Sequence, residues 1–190
     1  PQRLLTPYTS PLVRRGTAPA WAWWWGPSLS GNTMSKTTPG TLMLSKLGIA
    51  FELHPYDYDP DAPRVGLQAA EALGIDTSQT FKTLMAEVDG KPVCVVVPSD
   101  CEVSMKKMAA AFHGKSGNMM KVPDAERLTG YKVGGISPFG QRKLTPTVID
   151  ETAQLYDTIY INAGQRGLLL SITPDDAARS LNAPFADLTA

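Results

Sequence analysis

A single lysine stands inside an apolar stretch whose residue types are typical of a β-strand. Lys82 occurs in the segment TFKTLMA at positions 80–86. Alternate residues of a strand point to the same face, so Lys82 shares a face with Leu84 and Ala86. A charge among apolar neighbours loses hydration and needs a compensating partner, which a phosphate or carboxylate of a ligand would provide. A lysine that protects an edge strand is the alternative, and the pattern does not decide between the two.

A loop rich in glycine and proline could approach a ligand with its backbone. The segment GGISPFG occupies positions 134–140. Gly134 and Gly135 permit close contact between backbone and ligand, and Pro138 stiffens the chain. Free backbone amides in such a loop can stabilise an oxygen that becomes negatively charged during a reaction. A plain connecting loop is the alternative interpretation.

A second, shorter loop has the sequence GQRG at positions 164–167. Gly164 would again allow a close backbone approach. Arg166 could bind a phosphate, since its planar guanidinium matches that group. A structural turn explains the same residues equally well, so the sequence alone leaves both interpretations open.

The chain offers no convincing nucleophile or metal site. It contains only two cysteines, Cys94 and Cys101, and two histidines, His54 and His113. Cys94 lies in the apolar run VCVVV and is predicted to be a buried strand residue. The histidines are far apart in sequence and neither belongs to a metal-binding or catalytic-triad motif. We therefore expect no metal, no cofactor and no nucleophilic catalysis by a protein side chain.

Capping residues, prolines and glycines divide the chain into helices and strands. Thr38-Pro39 predicts a helix start, because threonine caps a helix and proline fits its first turn. Asp89-Gly90 between two apolar runs predicts a β-hairpin. The predicted helices lie at 38–48, 65–73, 104–113 and 123–128, and a last helix begins after a cap at Thr173. The predicted extended segments lie at 49–56, 80–88, 93–97, 119–122, 147–150, 158–162 and 168–172. This irregular interleaving predicts an α/β (α+β) fold in which helices pack on a mixed sheet.

Length and composition favour one domain with a substantial core. The chain has 190 residues, of which 43% are hydrophobic and 19% charged, and its formal net charge is zero. Basic residues are concentrated between positions 106 and 143, where eight Lys or Arg face two acids. Such a concentration can present a basic surface to a polyanion, although a solvated surface is the alternative. No apolar run approaches the roughly 20 residues of a membrane span, and a reduced, cytoplasmic protein is the expectation.

The first 33 residues differ from the rest of the chain. They contain all four tryptophans, three arginines and no acid, and prolines interrupt their apolar part. This is a poor match to a signal peptide. We interpret residues 1–33 as a non-native or disordered extension and expect residues 34–190, from Met34 onwards, to form the folded domain.

Three sequence blocks identify a resemblance to a known family. TFKTL at 80–84, YKVGGISPFGQ at 131–141 and PTVID at 146–150 resemble the YbaK proteins. These are free-standing relatives of the editing domain of bacterial prolyl-tRNA synthetases. The resemblance extends from about position 38 to about position 188, and the order and spacing of the blocks make it specific.

The resemblance implies both a fold and a set of site residues. The implied fold is a mixed, barrel-like sheet with surrounding helices. The implied activity is release of an amino acid from the 3′ end of tRNA, which a synthetase needs when its pocket cannot reject smaller amino acids. Catalytic roles are implied for Lys82, Gly134 and Pro138. Substrate-binding roles are implied for Tyr56, Thr83, Gly135, Ile136, Ser137, Gly164 and Arg166.

The expected reaction is trans-editing of Cys-tRNA(Pro), in which the thiol of the attached cysteine attacks its own ester. The expected partners are the 3′ end of aminoacylated tRNA and a prolyl-tRNA synthetase, without a membrane. Two departures from the family pattern concern selectivity. Asn162 stands where the family commonly has serine, and Leu169 where it often has an acid. Deacylation of another small residue such as alanine, and a non-catalytic synthetase- or tRNA-binding module, are therefore the alternatives.

Overall fold

A computed structural model describes residues 37–61 and 65–190. These residues contain five α-helices and eight β-strands. The helices are α1 (Pro39–Lys46), α2 (Val65–Leu73), α3 (Met105–Ala111), α4 (Val122–Thr129) and α5 (Pro174–Leu181). The strands are β1 (Glu52–Pro55), β2 (Thr80–Val88), β3 (Lys91–Pro98), β4 (Gly117–Met119), β5 (Thr147–Asp150), β6 (Ile159–Gln165), β7 (Leu168–Ile172) and β8 (Phe185–Ala186). The expectation for residues 1–33 lies outside the described part and stays a prediction.

The predicted start of α1 is confirmed by its capping interactions. The Thr38 hydroxyl accepts from the Thr41 amide at 3.1 Å, and the Thr41 hydroxyl accepts from the Thr38 amide at 2.8 Å. This reciprocal pair satisfies two donors that a helix N-terminus otherwise leaves free. The Thr38 hydroxyl also donates to the carbonyl of Ala163 on β6. The cap therefore both begins the helix and attaches it to the sheet.

The predicted hairpin is also confirmed. β2 and β3 pair in antiparallel register from Phe81–Pro98 to Val88–Lys91. The two connecting residues, Asp89 and Gly90, both have positive φ angles of 49° and 75°. A two-residue hairpin turn with this backbone matches the right-handed twist of the strands. This hairpin forms the centre of the sheet.

The eight strands form one mixed sheet. Its order is β1-β7-β6-β2-β3-β5-β8, and β4 pairs with β2 beside this path. The β2–β6, β3–β5 and β5–β8 pairs are parallel, and the remaining pairs are antiparallel. The predicted mixed sheet with surrounding helices is confirmed.

The middle of β2 lacks a neighbour on one side. β6 pairs with β2 only at Thr80 and Phe81, and β4 pairs with β2 only from Ala86 to Val88. Residues 82–85 between these two pairings have a strand partner only in β3, and the bond from the Met120 amide to the Met85 carbonyl lies at the end of this stretch. We call this interruption, residues 82–85 with their unpaired edge, the sheet gap.

The backbone of Thr83 faces the sheet gap. The Ser99 amide donates to the Thr80 carbonyl on the β3 side, and the Met120 amide donates to the Met85 carbonyl on the opposite side. Backbone groups of successive strand residues alternate between the two sides. The N–H and C=O of Thr83 therefore point the same way as the carbonyl of Met85, into the gap.

The hydrophobic core lies on both faces of the sheet. One cluster packs α1 and α5 against β6 and β7, with Leu44, Ile161 and Leu170 completely buried. A second cluster packs α3 against β2 and β3 around Met108. Burial on both faces explains why the strands are almost continuously apolar. The sheet is thereby a rigid support for the residues at its gap.

Two elements differ from the sequence prediction. The strand predicted at 119–122 is wrong in position, because β4 covers Gly117–Met119 and α4 already begins at Val122. The apolar residues Met120 and Val122 line a cavity, and this accounts for the misleading strand signal. β8 was not predicted, since two residues carry no detectable periodicity. Within the described residues, no helix is long and apolar enough to cross a membrane.

Candidate functional site

A cavity of about 320 Å³ opens at the sheet gap. Six successive residues of β2, from Thr80 to Met85, contribute to its wall. Its other walls come from the loop before α2, the turn after β3, the β4–α4 connection, the loop after α4 and strands β6 and β7. A volume of this order suits a small-molecule group and not a folded partner. The interrupted strand pairing therefore creates the principal candidate site among the described residues.

Lys82 lies in the wall of this cavity. Its Nζ donates to the carbonyl of Cys101 at 2.6 Å and to the carbonyl of Ser99 at 3.2 Å. Both carbonyls belong to the turn that follows β3. They orient the ammonium without neutralising its charge, because a carbonyl carries no formal charge. The ammonium of Lys82 is therefore oriented so that it can attract a phosphate or a polarised carbonyl.

Thr83 lines the same cavity, and its hydroxyl is buried. Its side chain is only 8% exposed, and within the described part of the chain its Oγ1 has no hydrogen-bond partner. A buried polar group without a partner costs about 1–3 kcal/mol. A buried hydroxyl without a partner calls for an explanation, and a bound water or ligand is one. Together with its backbone in the sheet gap, Thr83 offers donors and acceptors in one place.

Tyr56 closes another side of the cavity, just after β1. Its backbone N–H donates to the carbonyl of Gly167 at 2.9 Å, which fixes the residue beside the β6–β7 turn. Burial is the main cause that raises the pKa of the Tyr56 phenol above its ordinary value. The phenol therefore stays protonated at neutral pH and can act as a hydrogen-bond donor.

The glycine-rich loop reaches the cavity with Gly134 and Ile136. Gly134 has a φ of +86°, and a side chain there would come within 2.8 Å of the Tyr58 hydroxyl. Only glycine combines that backbone conformation with that close contact. The amides of Gly134 and Ile136 have no hydrogen-bond acceptor within the described residues. Both are therefore free to donate to a ligand oxygen.

The other predicted residues of this loop lie behind the cavity. Gly135 packs on the backbone of Arg166, where an added Cβ would come within 2.7 Å of the amide nitrogen. Ser137 is completely buried, and its Oγ accepts from the Phe139 amide at 3.3 Å. Pro138 is also buried and does not line the cavity. These residues shape the loop from inside the protein.

Gly164 and Arg166 also lie outside the cavity wall. Gly164 has a φ of +102°, and a Cβ there would meet the Tyr131 ring at 2.7 Å. The Arg166 Nε donates to the carbonyl of Val133 at 2.9 Å, and its guanidinium lies 5.5 Å from the centre of the Tyr58 ring. The contacts of both residues are thus with the loops around the site.

Some cavity residues were not among the predicted site residues. Asn162 lies in the wall, with its side chain between the two loops. Leu169, which is 4% exposed, pairs with Asn162 across β6 and β7 and contributes apolar surface. Met119 and Met120 add further apolar surface opposite. In the sequence, the departures from the family pattern at Asn162 and Leu169 pointed to these two positions. The methionines gave none, because their place depends on the pairing of β4 with β2.

Neither cysteine is suited to nucleophilic catalysis. Cys94 is completely buried, and this burial raises the pKa of its thiol to about 12. Burial is also the leading cause that raises the pKa of the Cys101 thiol, and the neighbouring Asp100 raises it further. Both thiols therefore remain protonated at neutral pH and are poor nucleophiles. In residues 37–61 and 65–190, no group of three or more His, Cys, Asp or Glu could hold a metal ion.

Comparison with known proteins gives a consistent picture. Residues 60–180 match the aminoacyl-tRNA editing domain family. EbsC of Enterococcus faecalis, to which Cys-tRNA(Pro)/Cys-tRNA(Cys) deacylase activity is ascribed, is 40% identical over 122 residues, or 63% of this chain and 74% of EbsC. A proline–tRNA ligase of Streptomyces coelicolor is 47% identical over 53 residues, or 28% of this chain and 9% of the ligase.

A solved structure agrees in fold. A crystal structure of a protein described as a trans-editing enzyme for prolyl-tRNA synthetase superposes with a TM-score of 0.70 at 21% identity, and covers 81% of this chain and 99% of that one. The resemblance drawn from the three sequence blocks is confirmed, since the matched region contains all of them. The chain belongs to the aminoacyl-tRNA editing domain family.

Proposed function

We propose that this protein is a deacylase that acts in trans and releases cysteine from misacylated Cys-tRNA(Pro). The observation that carries the proposal is the cavity at the sheet gap, which Lys82, Thr83 and Gly134 line and which, among the described residues, no cysteine or histidine lines. The ascribed activity of EbsC supports the same substrate. A prolyl-tRNA synthetase is the proposed partner, because it produces the misacylated tRNA.

Each cavity residue has a role in this proposal. Lys82 attracts the terminal phosphate or the ester-linked ribose of tRNA, and thereby positions the ester. The Thr83 hydroxyl, which lacks a partner within the described residues, bonds the aminoacyl group. Tyr56 donates from its phenol. The amides of Gly134 and Ile136 bind the ester oxygen as its negative charge develops. The further residues proposed to support substrate binding are Gly135, Ser137, Pro138, Gly164 and Arg166.

The proposed chemistry uses the substrate's own thiol. The cysteine sulfur attacks the ester carbonyl, a C–S bond forms, and the C–O bond to the ribose breaks. The thiol proton is lost, and the departing ribose oxygen gains a proton. The product is a cyclic thioester of cysteine, which water then opens to free cysteine. The raised pKa values of the Cys94 and Cys101 thiols support this assignment, because a thiol that is less readily ionised is a weaker nucleophile.

A second candidate substrate follows from the apolar wall. Leu169, Met119 and Met120 add apolar surface to the cavity, and such a surface also accommodates a methyl group. Ala-tRNA(Pro) would then be a substrate, and its release would need water or a ribose hydroxyl as nucleophile. A non-catalytic tRNA-binding module is the third possibility, and the same experiment addresses it.

Deacylation of a panel of tRNAs tests the proposal. Purified protein is incubated with Cys-tRNA(Pro), Cys-tRNA(Cys), Ser-tRNA(Pro) and Ala-tRNA(Pro), and the remaining ester is measured over time. We expect rapid release of cysteine and much slower release of serine, whose hydroxyl is the weaker nucleophile. Lys82→Ala should abolish release in a protein that remains folded. Binding without release of any amino acid would contradict the proposal and favour the binding module.

A further inference from the structure

The loop that carries Gly134 is held by a distortion in strand β6. The β6–β7 pairing shifts register between Asn162 and Gln165, which is a β-bulge. We call residues 162–166 the β6 bulge segment. Two of its side chains bond consecutive carbonyls of the loop: the Arg166 Nε donates to Val133 at 2.9 Å, and the Asn162 Nδ2 donates to Gly134 at 3.2 Å. Bulges commonly re-aim side chains next to functional sites.

The bonded carbonyls belong to a tight turn at residues 132–135, which we call the Gly134 turn. The Gly135 amide donates to the Lys132 carbonyl at 2.8 Å and closes the turn. Its third residue, Gly134, has a φ of +86°, whereas Val133 is not among the described residues with positive φ. This combination defines a type II turn. Type I and type II turns differ mainly in the orientation of the central peptide, which here joins Val133 to Gly134.

Arg166 holds this central peptide in its type II orientation. In a trans peptide the C=O and the following N–H point in opposite directions. The Val133 carbonyl points to Arg166, so the Gly134 N–H points away from Arg166, which does not line the cavity. A flip to type I would turn the Gly134 N–H towards the Arg166 N–H, and two donors would face each other. The guanidinium therefore disfavours the flipped turn.

Asn162 holds the next peptide and the bulge itself. Its Oδ1 accepts from the amides of Gly164 at 2.8 Å and Gln165 at 3.2 Å, while its Nδ2 bonds the Gly134 carbonyl. One amide group thus joins the bulge backbone to the turn. A serine is too short to span both sides in this way, so the link depends on the length of the asparagine side chain.

We propose that Arg166 and Asn162 are positioning residues that hold the Gly134 turn in its type II form, so that the Gly134 amide donates to the oxyanion. The inference rests on the proposed deacylase function and deepens it. It assigns Arg166 to the turn and not to a tRNA phosphate. The two residues act through Gly134 and do not touch the reacting atoms.

Conservative substitutions separate this role from a phosphate contact. Arg166→Lys keeps the charge but loses the planar Nε–H donor. Asn162→Asp keeps the acceptor for the bulge amides but loses the donor to Gly134. For each variant, kcat and KM for Cys-tRNA(Pro), the salt dependence of tRNA binding and the melting temperature are measured. Arg127→Lys, whose side chain is 80% exposed, and Gln165→Ala, on the bulge itself, are the controls.

We expect kcat to fall roughly tenfold to a hundredfold in both variants, because loss of one oxyanion donor has an effect of this size or larger. For Arg166→Lys, KM and the salt dependence should stay near those of the unchanged protein and of the controls. For Asn162→Asp the decisive readouts are kcat and the amide signals, because its added carboxylate in the cavity wall also repels a phosphate. In the free protein, NMR should show shifted amide signals for Gly134 and Gly135 in both variants.

Full activity of Arg166→Lys, or a weaker salt dependence of tRNA binding in Arg166→Ala, would overturn the inference and assign Arg166 to a phosphate. Unshifted Gly134 and Gly135 signals would also overturn it. If the unchanged protein released no amino acid, the proposed function would fail. The NMR measurement would still decide whether the two residues orient the turn.

Discussion

Thr83 is the residue whose proposed role and contribution to stability are most clearly opposed. Its hydroxyl is buried without a partner among the described residues, although the native fold would be more stable if that hydroxyl were absent or bonded. A loss of stability of this kind is usually retained at functional sites, where a ligand can provide the missing hydrogen-bond partner. The residue therefore gives a direct experimental separation of the two effects.

Replacing Thr83 by valine should leave the melting temperature unchanged or raise it, because an unsatisfied hydroxyl becomes a methyl group of similar size. Deacylation of Cys-tRNA(Pro) should fall at least about tenfold, since a substrate hydrogen bond is lost. Thr129→Val is the matched control: the Thr129 hydroxyl is buried and donates to the Ala125 carbonyl at 2.8 Å. That variant should lose about 1–3 kcal/mol of stability. Equal destabilisation of both variants would contradict the role given to Thr83.

The cysteines of the protein should be dispensable for chemistry. Cys101→Ala should retain the deacylation rate, because Lys82 bonds the backbone carbonyl of Cys101 and not its thiol. Cys94→Ala should also remain active, with a modest loss of stability from the small cavity it leaves in the core. The measurement is single-turnover release of cysteine by each variant. Loss of activity in a folded Cys101→Ala protein would indicate that the Cys101 thiol, and not the thiol of the substrate, is the nucleophile.

At the scale of elements, Tyr131 anchors the glycine-rich loop at residues 134–140 from the interior of the protein. The phenol is 5% exposed and donates to the Phe139 carbonyl at 2.7 Å, and its ring packs under Gly164. This tyrosine therefore joins the far end of the loop to the β6 bulge segment. Its burial raises the pKa of the Tyr131 phenol to about 12, and alkaline pH becomes a probe of the loop.

The sign of that dependence follows from the pKa difference. The folded state keeps the Tyr131 proton up to about pH 12, whereas the unfolded chain loses it near pH 10. The protonated Tyr131 phenol thus makes its full contribution to the free energy of unfolding below about pH 10. This contribution is lost as the pH rises towards 12, by about 1.4 kcal/mol per pH unit. Tyr131→Phe should be less stable at pH 8, because Phe139 loses its donor, but should show a flatter decline between pH 10 and 12. Urea unfolding of both proteins across this range is the measurement, and parallel declines would contradict the assignment.

Elements with local signals could be predicted from the sequence, whereas the site could be predicted only in part. Thr38-Pro39 and Asp89-Gly90 specify a helix start and a hairpin through neighbouring residues alone. The sheet gap has no local signal, because it depends on where β6 leaves β2 after Phe81 and where β4 joins it at Ala86. Lys82 and Gly134 were candidates from the residue pattern alone, and the family resemblance favoured their functional interpretation over the structural one. The roles argued for Asn162 and Arg166 required the geometry of the bulge.

At the scale of the whole molecule, the basic residues between positions 106 and 143 differ in their ion pairs and in their distance from the cavity. Lys107 lies 2.9 Å from Asp187, and Lys132 lies 2.7 Å from Glu126. Lys121 stands between the cavity residues Met120 and Val122 and is exposed. Lys115 belongs to a different end of the sheet, where its amide bonds Asp89 of the hairpin turn. Lys132 is 76% exposed despite its ion pair and precedes the cavity residue Val133, so Lys121 and Lys132 are the better candidates for contact with tRNA.

Neutralising the basic residues beside the cavity should weaken tRNA binding. Lys121→Gln combined with Lys132→Gln should reduce the slope of log affinity against log salt by about 1–2, because each lost phosphate contact accounts for roughly 0.7–0.9. Lys106→Gln with Lys115→Gln is the matched control with the same change in net charge, and should alter the slope less. Filter binding at several salt concentrations gives both slopes. A larger effect of the control pair would place the tRNA surface at the opposite end of the sheet.

The sheet gap has a consequence for self-association of the protein. An unpaired strand edge is a template on which a second polypeptide can add, and residues 82–85 include such an edge in the centre of the sheet. Here residues of the β4–α4 connection and of the Gly134 turn line the same cavity as this edge, and we infer that they hinder the addition of a second strand. Variants that shorten residues 117–121 would remove one of these elements and leave an apolar edge accessible. We expect such variants to aggregate in solution, as light scattering would show, before their deacylation rate changes.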